Sequence, residues 1–90
     1  MSERKVYLIS NIEEYGKLMA YCIEHDIVVF RTYWNEKEKG NRCFEVNFKD
    51  KRCYYSSKEY YFNEGYNILI PVFDFNKFGT IIISRFENAL

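Results

Sequence analysis

The segment ILIPVFDFNKFGTIIISRF, from Ile68 to Phe86, narrows the choice of folds more than any other part of the chain. Two runs of β-branched and aromatic residues flank Asn76-Lys77-Phe78-Gly79, a turn sequence, so the segment reads as a hairpin of strands 68–75 and 80–86. Alternation places Leu69, Phe73, Phe75 and Ile82 on one face and Ile68, Ile70, Val72, Ile81 and Ile83 on the other. Both faces are apolar, and a strand of that kind must be covered from two sides. One helix covers only one face of a sheet. The segment Tyr60–Tyr66 could fold back over the second face, or a second copy of the chain could cover it, and the favoured expectation is a homodimer through the 68–86 hairpin. Pro71 brings no N–H to a ladder and marks an edge position or a bulge.

The rest of the chain supplies the layer that such a hairpin needs. Lys5–Ile9 reads as a first strand, and Ser10-Asn11-Ile12-Glu13 spells a capping box with Ser10 as the cap. The helix it opens should run over about 11–25, with an apolar stripe of Ile12, Tyr15, Met19, Cys22 and Ile23, and end near His25. Ile27–Trp34 and Arg42–Phe48 are β-rich and flank the polar, glycine-containing NEKEKGN, which predicts a second hairpin. Closing it pairs Trp34 with Arg42, Thr32 with Phe44, Phe30 with Val46 and Val28 with Phe48 on a core face. Tyr33, Arg31 and Val29 then lie beside Cys43, Glu45 and Asn47 on the other face. A turn over Lys49-Asp50-Lys51 leads into a strand from Arg52, with Tyr54 beside Val46 on the core face and Tyr55 opposite. Ser56 and Glu59 have capping-box spacing and Gly65 is a stop signal, so residues 57–64 fit a short helix, while Tyr60-Tyr61-Phe62 fits a strand. The fold class is α+β, one principal helix on a mostly antiparallel sheet of four to six strands. Its order is β-α-β-β-β-(short helix or strand)-β-β, in one domain over 1–90.

Charge and cysteine content bear on function. Thirteen Lys and Arg balance thirteen Asp and Glu, so no overall field draws the chain to nucleic acid or to an anionic membrane, and it is not an acidic nucleic-acid mimic. No apolar run suits a signal peptide or a membrane helix, which points to the cytoplasm. Cys22, Cys43 and Cys53 share no metal-ligand spacing with each other or with the one histidine, so three reduced thiols are expected, with no metal and no cofactor. The acids are scattered over caps and turns, no serine or cysteine has an orienting partner, and no glycine-rich phosphate loop exists. The expectation is a protein without enzymatic activity. Sparse Gly and Pro, with plentiful Ile, Asn, Lys, Tyr and Phe, suggest an AT-rich genome, that of a low-GC bacterium or its phages.

The functional signal lies in RCYYSSKEYYF, Arg52–Phe62. Tyr55, Tyr60 and Tyr61 cannot all be core if Tyr54 is, and Arg52 and Lys58 lie among them. Tyr and Arg are the residue types enriched at protein-interface hot spots, because an amphipathic ring buries area while its hydroxyl keeps a hydrogen bond. Arg52, Tyr55, Lys58, Tyr60 and Tyr61 are therefore the candidate partner-binding residues. They fit a small inhibitor that blocks a host protein, of the anti-defence or immunity type. The same rings and cations also fit a single-stranded nucleic-acid binder or a sponge for a nucleotide signal. VYLISNI from Val6, a helix, a strand, a loop and then RCFEVNF resemble the first half of an RNA-recognition motif. That resemblance implies a β-α-β-β-α-β sheet whose first and third strands display aromatics to bases. The chain departs from the pattern in setting Leu8 where the first aromatic belongs, with Tyr7 one place early, and in the plain alternation of FEVNF.

Overall fold

A computed structural model of the chain describes residues 3–30, 34 and 42–88. Along these residues the elements are β1 (Arg4–Ile9), α1 (Ile12–Glu24), β2 (Val28–Val29), β3 (Arg42–Asn47), β4 (Arg52–Ser57), α2 (Lys58–Asn63), β5 (Ile68–Phe75) and β6 (Ile81–Asn88). All the strands join one sheet in the order β2-β4-β3-β1-β5-β6. The fold is α+β with α1 as principal helix, as the sequence predicts, but the sheet is mixed. β1 runs parallel to β5 and β2 parallel to β4, and the other pairings are antiparallel.

α1 begins one residue later than the capping box suggests. Asn11 is the cap, and its side-chain oxygen accepts the Glu14 N–H at 2.8 Å, satisfying one of the donors a helix start leaves free. The buried stripe also differs from the expected one. Leu18 and Cys22 are fully buried with Tyr15 and Met19 packed beside them, while Ile12 and Ile23 are exposed. This stripe sits on Tyr7 and Ile9 of β1, Phe44 and Val46 of β3, Cys53 of β4 and Leu69 of β5. Phe44 and Val46 thus face the helix as their alternation requires.

The hairpin of 27–34 with 42–48 does not form. β3 pairs with β1, from Arg4 opposite Asn47 to Ile9 opposite Arg42. β2 lies instead at the sheet edge against β4, with Val28 beside Arg52 and Val29 beside Cys53, and the Phe30 N–H donates to the Cys53 carbonyl. Phe30 accordingly leaves the core, and Trp34 packs near Tyr15 rather than over Arg42. Arg31, Thr32, Tyr33 and the 35–41 segment lie outside the described residues. An alternating strand matches any partner with one polar and one apolar face, and the longer-range β1–β3 pairing buries Val6, Tyr7, Leu8 and Ile9 as well.

The β3–β4 connection is one residue longer than Lys49-Asp50-Lys51. Asn47 pairs with Arg52, leaving 48–51 as the turn. The Asn47 side chain accepts the Asp50 N–H at 3.0 Å and donates to its carboxylate, and Lys51 adopts φ 55. Cys53 therefore stands opposite Val46 and Cys43 opposite Ser56. Side chains alternate, so this one step reverses the faces of Tyr54 and Tyr55.

α2 resolves residues 57–64 as a helix. Ser57, not Ser56, is its cap: the last residue of β4, opposite Arg42, it accepts the Tyr60 N–H at 3.1 Å. Gly65 at φ +82 ends it in a conformation that disfavours side chains. α2 crosses the sheet face opposite α1, where Tyr61 and Tyr66 cover Val6, Leu8, Cys43 and Ile68. The 60–66 segment thus folds back as one of the two alternatives requires. In the β5–β6 hairpin Asn76 and Thr80 close the turn, and Phe75 faces Ile81 and Phe73 faces Ile83. Ile81 and Ile83 share the Phe73 and Phe75 face and Ile82 stands opposite Asp74, the reverse of the expected assignment. A register shift between Val72 and Phe73 puts Ser84 out of the ladder, one residue along from Pro71, which pairs with Phe86.

Candidate partner-binding surface

The candidate residues are distributed over both faces of the sheet. Tyr55 stands on the α1 side, tilted 6.0 Å from the Phe44 ring, with the buried Arg42 guanidinium 4.7 Å above it. Tyr61 is 2% exposed beneath α2. Its phenol lies beside the Glu45 carboxylate, which is also 3.9 Å from Arg4. Burial, with the Glu45 charge beside it, pushes the Tyr61 phenol well above its ordinary range. Tyr61 is therefore a core residue. Lys58 is half-buried at the start of α2, and its charge partly offsets the burial that pushes the Cys43 thiol up to about 11. Tyr60 stays exposed on α2, edge-on to Tyr61 at 5.1 Å.

Arg52 belongs to a different group. The four-residue turn brings Tyr54 to the surface of β4, and the parallel pairing of β2 sets Phe30 beside it. The two rings stack, with centroids 5.2 Å apart and planes 11° from parallel, at 39% and 37% exposure. The exposed Arg52 guanidinium lies 5.7 Å over the Phe30 ring, and the neighbouring Tyr54 phenol raises its already high pKa. Val28, also exposed, is the β2 neighbour of Arg52. On this face α2 covers the middle of the sheet and leaves the β2–β4 flank open, so the surface is built on rigid strands. Arg52 was legible from its neighbours. Phe30 and Tyr54 read as core, and the signal that could have placed Tyr54 outside is the Asn47–Asp50 turn chemistry.

Other chemistries have little material among the described residues. No group of three His, Cys, Asp or Glu could hold a metal ion there, and no helix is long and apolar enough to cross a membrane. His25 stacks on Tyr21 at 4.2 Å and its Nε2 lies 3.3 Å from the Ile81 carbonyl, tying the end of α1 to β6. Cys43 and Cys53 lie on opposite faces of the sheet. Cys53 instead meets Cys22 of α1 in the core, and that neighbour with burial drives the Cys53 thiol upward. Of the rings an RNA-recognition motif would display, Tyr7 and Phe44 are buried under α1. The chain carries its exposed sheet aromatics on β2's end and β4 instead. Comparison with protein-family models, curated proteins and solved structures finds no match.

Proposed function

We propose that the protein is a non-enzymatic interaction module of a phage or mobile element that acts in the cytoplasm by binding and blocking a host protein, such as a defence nuclease. Contact would be made through Phe30, Tyr54 and Arg52, with Tyr60 of α2 on the same side of the sheet. The observation that carries this is the stacked, exposed Phe30–Tyr54 pair under Arg52. Aromatic and arginine side chains held in one conformation lose little entropy on binding, and such residues dominate interface energetics. Balanced charge favours a protein partner over a polyanion. Each ring of the pair also spends one face on the other, which leaves fewer free faces for bases.

The test is capture from host lysate with immobilised protein, compared with an Arg52→Ala/Tyr54→Ala variant. Wild type should retain a discrete host protein that the variant loses, with the variant's melting changed by no more than the roughly 0.5 kcal/mol usual for surface substitutions. Equal capture by both proteins would refute the surface. A fluorescent single-stranded oligonucleotide should not bind. Binding that falls steeply with salt would instead establish a nucleic-acid partner.

A further inference from the structure

The end of the sheet away from the Phe30–Tyr54 pair is β6, and among the described residues no strand lies outside it. The opposite edge, β2, is only two residues long, whereas β6 has eight. An open edge of that length presents a row of main-chain N–H and C=O groups to any strand that can approach. Such edges are commonly guarded by charges of one sign, which would repel a second copy. β6 is not guarded in that way. Its exposed outer half carries Arg85 and Glu87, opposite in sign and two residues apart on one face, with Phe86 on the other face at 44% exposure. Ser84, the residue out of register, lies before this stretch, and Arg85–Asn88 pair regularly with Val72, Pro71, Ile70 and Leu69.

We propose that β6 pairs antiparallel with β6 of a second copy of this chain, about a two-fold axis at Phe86, joining two six-stranded sheets into one. Identical strands can run antiparallel side by side only about an axis normal to the sheet, so some residue must face its own copy and both copies turn α1 to the same side. That restricts the registers to one per central residue. Centring on Arg85 or on Glu87 sets that charge against itself. Centring on Phe86 sets Arg85 against Glu87 of the second copy twice over and brings the two Phe86 rings together beside Lys5, whose ammonium already lies 4.4 Å over the ring. Among registers centred on the exposed charged stretch Arg85–Glu87, the charges therefore select this one. This dimer leaves the Phe30–Tyr54 surface open, so it stands independently of the proposed partner.

Sedimentation of the full chain over micromolar concentrations should show a reversible species of twice the 11.0 kDa chain mass. Arg85→Glu, or independently Glu87→Arg, places like charges across both contacts and should raise the dissociation constant about tenfold or more. The double reversal Arg85→Glu/Glu87→Arg should restore association. Both residues are exposed, so thermal melts of these variants serve as folding controls. A monomer at every concentration overturns the proposal, as does a dimer indifferent to the single reversals or not recovered by the double one.

Discussion

Replacing Tyr61 by alanine separates a core tyrosine from a surface one more sharply than any other change in the Arg52–Phe62 segment. The ring is buried against Val6, Leu8, Cys43 and Ile68, with Tyr66 meeting it edge-on at 5.4 Å. Removing a buried ring of this size costs about 3–5 kcal/mol from lost transfer energy and the cavity left behind. The hydroxyl, beside the Glu45 carboxylate, adds a smaller share. A chain of 90 residues has a total stability of about 5–14 kcal/mol. Tyr61→Ala therefore removes about a fifth of it or more. α2 is the element most exposed to this loss, since a six-residue helix has no stability of its own and Tyr61 is its buried anchor. At about 4–8 °C per kcal/mol for a domain of this size, thermal unfolding followed by circular dichroism should show a fall of at least about 12 °C. Tyr61→Phe, which keeps the ring, should lose only the hydroxyl's share, and Tyr60→Ala should melt close to wild type. A Tyr61→Ala protein that melts within a few degrees of wild type would refute the assignment of this ring to the core and with it the docking of α2.

Alkaline pH should destabilise the fold. Burial raises the Tyr7 and Tyr61 phenols and the Cys43 thiol above their unfolded values, so the folded state binds these protons more tightly, and stability is complete below the unfolded pKa values and declines as pH rises past them. Urea titrations should show the decline beginning near about pH 8.5–9 with Cys43 and steepening above about 10, each group contributing about 1.4 kcal/mol per pH unit, and Tyr61→Phe should remove one such increment. Asn11→Ala should cost about 1 kcal/mol in the same titration at neutral pH, while Ser10→Ala should be nearly neutral. The reverse order would return the cap to Ser10.

Much of the architecture was legible because it depends on local pattern. The turn at Asn76–Gly79, the cap signals and the apolar period of α1 each act within a few residues, and the element order emerged with α2 settling the one open choice. The partner of each strand was not legible. β3 satisfies its pattern against β1 as well as against β2, and only the burial of all of Val6–Ile9 decides between them.

The remaining differences are steps of a single residue, and their consequences depend on the element in which they fall. Ser10 with Glu13 and Asn11 with Glu14 are the same capping pattern in adjacent frames, and choosing the wrong one moves a helix start by one position and no more. At Ser56 and Ser57 the cap falls one residue later than the Ser56–Glu59 spacing suggests, on the last residue of β4. In the two hairpins a step of one is a reversal, because side chains along a strand alternate. Counting 49–51 instead of 48–51 as the turn exchanges Tyr54 with Tyr55, and closing the last hairpin at Gly79 instead of Thr80 exchanges Ile82 with its neighbours. The exposed surface was misread for this reason: Tyr55 and Tyr61 were expected outside, whereas the turn fixed by Asn47 and Asp50 turns Tyr54 out to meet Phe30. In a small sheet the length of a turn decides which aromatic residues a partner can touch.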